Sequence, residues 1–167
     1  QLSMLPLTGI TQGAQPIMSY NYGAKNYDRL HHAFRLGIAF AVAIMGIGAL
    51  LIFLFPGMIL SIFKADEAMI QIGVTGMRIM VLGYVFAGMG IIFATYMQAI
   101  KNIRQSIVIN LFRQAVILLP LMFILSRAFG MVGVWVAFPI AEITTCLYSF
   151  GVYKKASAKI GNLQIMQ

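Results

Sequence analysis

Long uncharged runs alternate with short charged clusters along this chain of 167 residues. Residues 1–24 carry no charge, and residues 36–63 form a second run without one. A helix needs about 20 residues to cross about 30 Å of hydrocarbon, so both runs are long enough to span a membrane. The pattern predicts five spans and a tail, at about 1–24, 36–55, 69–99, 105–126, 131–152 and 153–167.

Composition favours the same interpretation. Hydrophobic residues make up 60% of the chain and charged residues 10%, whereas a soluble domain carries about 25% charged residues. We therefore expect an all-α membrane protein. The only cysteine, Cys146, excludes an internal disulfide. Because the chain opens on an uncharged, helix-like run with no basic leader, we expect it to begin inside a longer protein.

The basic residues gather at one side of the predicted spans. Positively charged loops stay on the cytoplasmic side of a membrane, so this side and the C-terminus are predicted to be cytoplasmic, in the cell (plasma or inner) membrane. Clustering at span ends also argues against a nucleic-acid partner. Only Lys64 and Arg127 fall on the opposite side, with Arg78 expected near it. The basic side collects eight residues: Lys25, Arg29, Arg35, Lys101, Arg104, Lys154, Lys155 and Lys159.

Two opposite charges interrupt the apolar runs. Glu142 lies 12 residues before Lys154, about 18 Å from that end, and Arg113 lies nine residues after Arg104, about 14 Å deep. Charges inside hydrocarbon usually face a cavity or a partner and often mark an ion pathway. The pair predicts either such a pathway or a fixed ion pair that holds two helices in register.

Neutral amide side chains also occur inside the runs. Gln12 and Gln15 are three residues apart and share one helix face. Asn110 and Gln114 are four apart, beside Arg113, and Gln98 ends the third span. These side chains are candidates to line a substrate or ion pathway. Alternatively they form hydrogen bonds between helices, each contributing about 0.6 kcal/mol.

Chemistry other than transport finds little support in the sequence. His31 and His32 lack a third ligand at metal spacing. No nucleophile–base pair, phosphate-binding glycine loop or paired carboxylate is evident. We therefore expect neither an enzyme nor a bound metal or organic cofactor.

The first run contains glycine, glutamine and proline where a simple membrane anchor would carry leucine. With its exit QPIMSYNYGAKN, it resembles the second helix of the C-terminal lobe of MATE (multidrug and toxic compound extrusion) transporters. The segments 97–100, 113–120 and 129–142 resemble later parts of that lobe, in the bacterial drug-exporter branch. The motif residues in the first run are Gly9, Gly13, Pro16, Tyr20, Asn21 and Gly23.

This resemblance implies a twelve-helix transporter with two six-helix lobes around a central cavity. The chain would supply helices eight to twelve, five transmembrane helices that form most of the C-terminal lobe. Its partners would be the lipid bilayer, the missing N-terminal lobe of the same protein, and small lipophilic or cationic drugs. Members of the family export such compounds in exchange for protons or sodium.

The resemblance also bears on the coupling ion. Some family members carry coupling carboxylates in helices seven and ten. The run that corresponds to helix ten, residues 69–100, contains no carboxylate, which favours H⁺ over Na⁺. Other members use an acidic residue in the N-terminal lobe, which would place the coupling site outside this chain.

The function predicted on this basis is secondary active antiport by alternating access, exporting drugs or organic cations. A lipid-linked saccharide flippase of the same superfamily is an alternative. A flippase of this kind should have a more basic central cavity, and Arg113 is the only arginine in the middle of a predicted span that supports it. A membrane scaffold without a transport cycle is a second alternative, in which the buried polar groups only pair between helices.

Overall fold

A computed structural model of the chain describes residues 5–62 and 67–165, and this part contains helices and no strand. The all-α fold predicted from the sequence is confirmed. A 3₁₀ turn at Val81–Gly83 joins α4 to α5, and a π-helical turn at Phe112–Leu118 joins α6 to α7. The α-helices are α1 Leu5–Gly23, α2 Tyr27–Leu54, α3 Pro56–Ile62, α4 Glu67–Met80, α5 Tyr84–Ala99, α6 Ile103–Leu111 and α7 Leu119–Ile165.

Two chain reversals, α1 to α2 and α5 to α6, use the same turn. Lys25 and Lys101 adopt positive φ values of 57° and 61°. An asparagine follows each lysine, and its backbone N–H donates to the carbonyl five residues back. The distance is 2.9 Å from Asn26 to Asn21 and 2.8 Å from Asn102 to Met97. This Schellman pattern satisfies carbonyls at the helix end and turns the chain sharply. The lysines thereby lie at the ends of their helices.

A third reversal lies inside α7. Gly130 has φ 60° and ψ −136°, a conformation that in practice only glycine adopts. Three residues later, a Cβ added to Gly133 would overlap the backbone carbonyl of Leu125. Far from the turn, the rings of Phe112 and Tyr148 lie 4.6 Å apart. Residues 119–129 and 131–165 are therefore two antiparallel arms.

Aromatic side chains from three helices pack together at one end of the bundle. Phe34 of α2 lies 4.4 Å from Tyr153 of α7 and 4.9 Å from Tyr96 of α5, measured between ring centroids. Phe93 lies 5.6 Å from both Phe34 and Tyr153. We call these four residues the aromatic cluster. His31 stacks on Tyr96 at 6.1 Å, so the start of α2 and the end of α5 lie at the same level.

Three described helices are long and apolar enough to cross a membrane: Tyr27–Leu54, Ile70–Ala99 and the run Ile103–Asn162. The last of these reverses its direction at Gly130. The helix α1 is not among them, because threonine, glutamine, proline, tyrosine and asparagine occur throughout its sequence. The span boundaries remain predictions, and the acidic loop expected at residues 64–67 lies almost wholly outside the described residues.

Candidate functional site

Both intramembrane charges line one cavity of about 360 Å³ between α1, α5, the π-helical turn and the second arm of α7. We call it the charged cavity. Its apolar wall consists of Leu7, Ile91, Leu118 and Phe138. Its polar lining consists of Thr8, Thr11, Arg113, Gln114 and Glu142.

Arg113 and Glu142 form a loose ion pair in this cavity. Arg113 Nη1 lies 3.8 Å from Glu142 Oε2, and the side chains are only 18% and 20% exposed. This distance allows electrostatic attraction but is too long for a hydrogen bond. Glu142 Oε2 is buried and accepts no hydrogen bond from the described part of the chain. The carboxylate therefore keeps a lone pair that can accept a proton or a donor group of a ligand.

The π-helical turn carries Arg113 and Gln114 into the cavity lining. Its wider hydrogen bonding is visible at Leu119, whose amide donates to the carbonyl of Gln114, five residues back. Pro120 follows directly and has no N–H to continue a regular α-helical ladder. Short π-helical turns are often found at functional sites. The local irregularity and the intramembrane charge thus coincide.

Two threonines of α1 line the charged cavity, although the sequence analysis did not select them. Thr8 Oγ1 donates to the carbonyl of Leu5 at 2.7 Å, and Thr11 Oγ1 donates to the carbonyl of Thr8 at 2.8 Å. Each hydroxyl hydrogen is therefore used in a hydrogen bond to the backbone of α1, and each hydroxyl oxygen can still accept a hydrogen bond. The only sequence feature that could have identified these threonines is their three-residue spacing, and Gln12 and Gln15 have the same spacing.

The structure does not bring Gln12 and Gln15 to the charged cavity. Gln12 is exposed and Gln15 is half-buried, and neither contributes to the lining. Gln12 follows Thr11 by one residue, which rotates it by about 100° around the helix. Gln15 lies about one turn beyond Thr11, towards the end of α1. Their role in a pathway stays a prediction.

Gln98 and Asn110 form hydrogen bonds around the α5–α6 turn. Gln98 Nε2 donates to Ser106 Oγ at 2.9 Å, and Asn110 Nδ2 donates to the backbone carbonyl of Ser106 at 3.0 Å. Neither residue lines the charged cavity. This geometry supports a bracing role for both amides, whereas Gln114 does lie beside Arg113 in the cavity.

Half of the motif residues in α1 line a second space, a groove of about 970 Å³ between α1 and α2. Gly9 and Gly13 form part of its wall, together with Asn21. Asn21 Nδ2 donates to the carbonyl of Ile17 at 2.8 Å, which keeps this buried side chain on its own helix. The other motif residues lie along α1 outside the groove lining: Pro16, Tyr20 and Gly23.

His31 belongs to the packing at the end of the bundle, whereas His32 is exposed. His31 contacts the rings of Tyr96 and Tyr153, at 6.1 Å and 6.5 Å. Within residues 5–62 and 67–165, no three His, Cys, Asp or Glu side chains lie close enough together to hold a metal ion.

Long apolar helices around a buried ion pair define a polytopic membrane protein. The profile of the MatE family matches residues 1–124, and the chain belongs to this family. It is 27% identical over 152 residues to the probable multidrug resistance protein YoeA of Bacillus subtilis (strain 168), covering 90% of this chain and 33% of that protein. It is 23% identical over 142 residues to the multidrug export protein MepA of Staphylococcus aureus (strain MRSA252), covering 85% and 31%. The chain thus spans about a third of the length of these relatives.

Solved structures show the same fold. The MATE multidrug transporter DinF-BH is 37% identical to this chain, with a TM-score of 0.85 over 92% of this chain and 34% of that one. Outward-facing and inward-facing conformations of a MATE family transporter of the MOP superfamily give TM-scores of 0.91 and 0.90 at 19% identity. These two cover 96% of this chain and 37% and 38% of theirs.

Proposed function

We propose that this chain is part of a secondary active antiporter that exports drugs or organic cations in exchange for protons. The observation that carries the proposal is the buried Glu142 carboxylate, which is loosely paired with Arg113 and keeps a free lone pair in the charged cavity. Multidrug resistance and export proteins among the relatives support the drug substrates. The rest of the full-length protein would complete the transport pathway.

Competition for one carboxylate would couple the two flows. A deprotonated Glu142 attracts either Arg113 or a cationic drug in the cavity. Protonation removes that attraction and leaves the guanidinium of Arg113 as the dominant charge, which repels a cation. Because the binding of the proton and the binding of the drug are thermodynamically linked, each lowers the binding affinity of the other by the same factor. This negative coupling is what an antiporter needs.

The cavity lining favours a proton over sodium as the coupling ion. Glu142 is the only acidic residue in the lining, and Arg113 lies beside it. Sodium would have to bind next to the guanidinium of Arg113, which repels it. A proton needs only the lone pair of Glu142. Threonine and glutamine oxygens could still serve as acceptors for an ammonium group of a drug.

Alternating access is supported by the similarity to two transport states. The chain matches an outward-facing and an inward-facing transporter almost equally, with TM-scores of 0.91 and 0.90. A segment that keeps its internal fold in both states can rock as one body against the rest of the protein.

The proposed setting is the cell membrane, with the protein spanning it several times and the C-terminus in the cytoplasm. The turns at Lys25 and Lys101 lie at the same end as the lysines that follow Tyr153. Positive charge at this end supports the cytoplasmic orientation.

Dye-induced proton flux in inside-out vesicles tests the proposal. Vesicles that contain the full-length protein are energised by respiration, and ethidium is added with and without sodium while the pH gradient is followed. We expect ethidium to collapse the gradient without sodium, and Glu142→Gln and Arg113→Gln to abolish the response. Arg127→Gln is the matched control, because this exposed arginine lies over the ring of Phe123 at 4.3 Å.

An unchanged response in Glu142→Gln would remove this carboxylate from the coupling mechanism. A response that requires sodium would overturn the choice of proton. No response under either ion would favour the flippase or scaffold alternatives and would make Arg113–Glu142 a structural pair.

A further inference from the structure

A separate groove of about 490 Å³ runs between the start of α6 and the last part of α7. We call it the lysine groove. Lys155 and Lys159 line it at one end, and Leu147 and Val152 line it further along α7. It shares no lining residue with the charged cavity.

The α7 wall of this groove changes from apolar to basic along the helix axis. Lys155 and Lys159 are four residues apart and therefore lie on one face. Leu147 precedes Lys159 by 12 residues, which corresponds to about 18 Å of helix. A ligand that fits this wall has an apolar part of at least two helical turns and an anionic end.

The α6 wall supplies polar groups that the fold leaves available. Asn102 begins α6 without a side-chain capping hydrogen bond. Gln105 Oε1 is buried and makes no hydrogen bond to the described residues. Both side chains line the groove near the lysines. A rotation of the Gln105 side chain towards the groove would allow this oxygen to accept a hydrogen bond from a hydroxyl group of a ligand.

The surroundings distinguish a lipid from a water-soluble anion. The apolar end of the groove is open to the surroundings, since Leu147 in its lining is 68% exposed. In a membrane-spanning helix, such a side chain faces hydrocarbon. The lysines would hold either kind of anion, but only a lipid would also cover the apolar half of the groove.

We propose that the lysine groove binds an anionic glycerophospholipid with a hydroxyl-bearing headgroup, of the phosphatidylglycerol type. Lys155 and Lys159 contact the phosphate, Gln105 accepts a hydrogen bond from the headgroup, and an acyl chain lies along Val152 and Leu147. Basic pockets between transmembrane helices bind anionic headgroups in this way. The inference concerns lipid binding and holds whether or not the charged cavity exchanges protons.

Lipid titration of the purified full-length protein in detergent tests this site. Native mass spectrometry measures binding of dioleoyl-phosphatidylglycerol and, for comparison, dioleoyl-phosphatidylcholine. We expect the first to bind more tightly, and the double variant Lys155→Gln/Lys159→Gln to weaken it about thirty-fold, since each basic residue near a headgroup contributes about 1 kcal/mol. The double variant Lys155→Arg/Lys159→Arg should keep the binding.

A matched control removes the same charge elsewhere at this end. Lys154 Nζ lies 5.2 Å from the centre of the Phe150 ring, and neither Lys154 nor Lys25 lines the groove. Lys25→Gln/Lys154→Gln should therefore leave the affinity within about three-fold. If Lys155→Gln/Lys159→Gln and Lys25→Gln/Lys154→Gln lose the same affinity for phosphatidylglycerol, the lipid is attracted by the overall positive charge, and the proposed site is wrong.

Filling the groove gives a second test that keeps every charge. A Cβ at Gly151 would meet nothing within 4 Å, and leucine forms helix better than glycine, so Gly151→Leu should fold and should weaken phosphatidylglycerol binding. Unchanged binding would contradict the proposed acyl-chain position.

Displacement of the lipid by glycerol 3-phosphate would show a site for a soluble anion instead, and equal binding of both lipids would also refute the proposal.

Discussion

The aromatic cluster and the charged cavity are both buried, but they are built in opposite ways. In the cluster, ring centroids from three helices lie 4.4–5.6 Å apart. In the cavity, the two charges lie 3.8 Å apart and Glu142 Oε2 accepts no hydrogen bond from the described residues. The rings of the first region contact one another, whereas the second region encloses a cavity of about 360 Å³ beside a loosely paired carboxylate.

This difference separates what holds the fold from what can change during a transport cycle. A close-packed cluster loses many contacts when one ring is removed. A loosely paired carboxylate can lose its partner or gain a proton while its helices stay in place. We therefore expect stability to depend on the cluster and coupling to depend on the cavity.

The largest loss of stability is expected from Phe34→Ala in the aromatic cluster. Phe34 is 5% exposed and contacts rings on α5 and α7, so truncation leaves a cavity and should lower the free energy of unfolding by about 3–5 kcal/mol. Unfolding of the full-length protein in mixed micelles measures the loss. Phe40→Ala on the same helix is the control, since Phe40 is 57% exposed. Equal losses would show that the cluster is not the stabilising region.

A smaller effect is expected where the 3₁₀ turn at Val81–Gly83 approaches α7. A Cβ at Gly83 would lie 2.9 Å from Pro139 Cα, which belongs to the backbone of α7. Gly83→Ala should therefore push the helices apart and cost about 1–3 kcal/mol. Because Pro139 lies one turn before Glu142, this variant should also weaken drug-induced proton flux.

Gly88→Ala is the matched control for this crossing. Its Cβ would also lie 2.9 Å from the nearest atom, but that atom is Cγ of the buried Met45 side chain. A side chain shifts more readily than the backbone of Pro139, so the cost should be below that of Gly83→Ala. If both variants unfold equally easily, contact with the backbone is not the deciding factor.

The fold was more predictable from the sequence than the site. Uncharged runs bounded by lysine and arginine indicated where the long helices lie, because hydrocarbon length and charge exclusion act on every residue of a run. Gly130 illustrates the limit. The charge pattern predicted a turn at residues 127–130, but the φ of Gly130 and the close approach of Gly133 to Leu125 depend on the packing of both arms.

The site depends on rotation and depth, which spacing does not determine. Arg113 and Glu142 could be paired from their similar depths. Thr8 and Thr11 have the same spacing as Gln12 and Gln15, yet only the threonines line the charged cavity. Gln12 is rotated by about 100° from Thr11, whereas Gln15 shares the face of the threonines but lies about one turn further along α1. The partner helix that fixes this rotation is not evident from the sequence of α1.

The smallest energetic effect is expected for the ion pair itself, measured as a double-mutant cycle. Arg113→Gln, Glu142→Gln and the double variant are unfolded in mixed micelles. Each single variant leaves one buried charge without its partner, so the two single losses should sum to more than the loss in the double variant. At 3.8 Å, we expect a coupling energy of about 0.6–1.7 kcal/mol, the range measured for polar pairs between membrane helices.

The control cycle pairs Glu142→Gln with Arg127→Gln. Arg127 lies beside the Gly130 turn, and Gly130 lies about 18 Å along α7 from Glu142, so this cycle should be additive within about 0.5 kcal/mol. A coupling energy of about 3–5 kcal/mol for Arg113 and Glu142 would be typical of a tightly held buried pair. It would make the charged cavity as rigid as the aromatic cluster and would remove the contrast between the two regions. A weak coupling together with loss of drug-induced proton flux in Glu142→Gln would show that this carboxylate contributes more to transport than to stability.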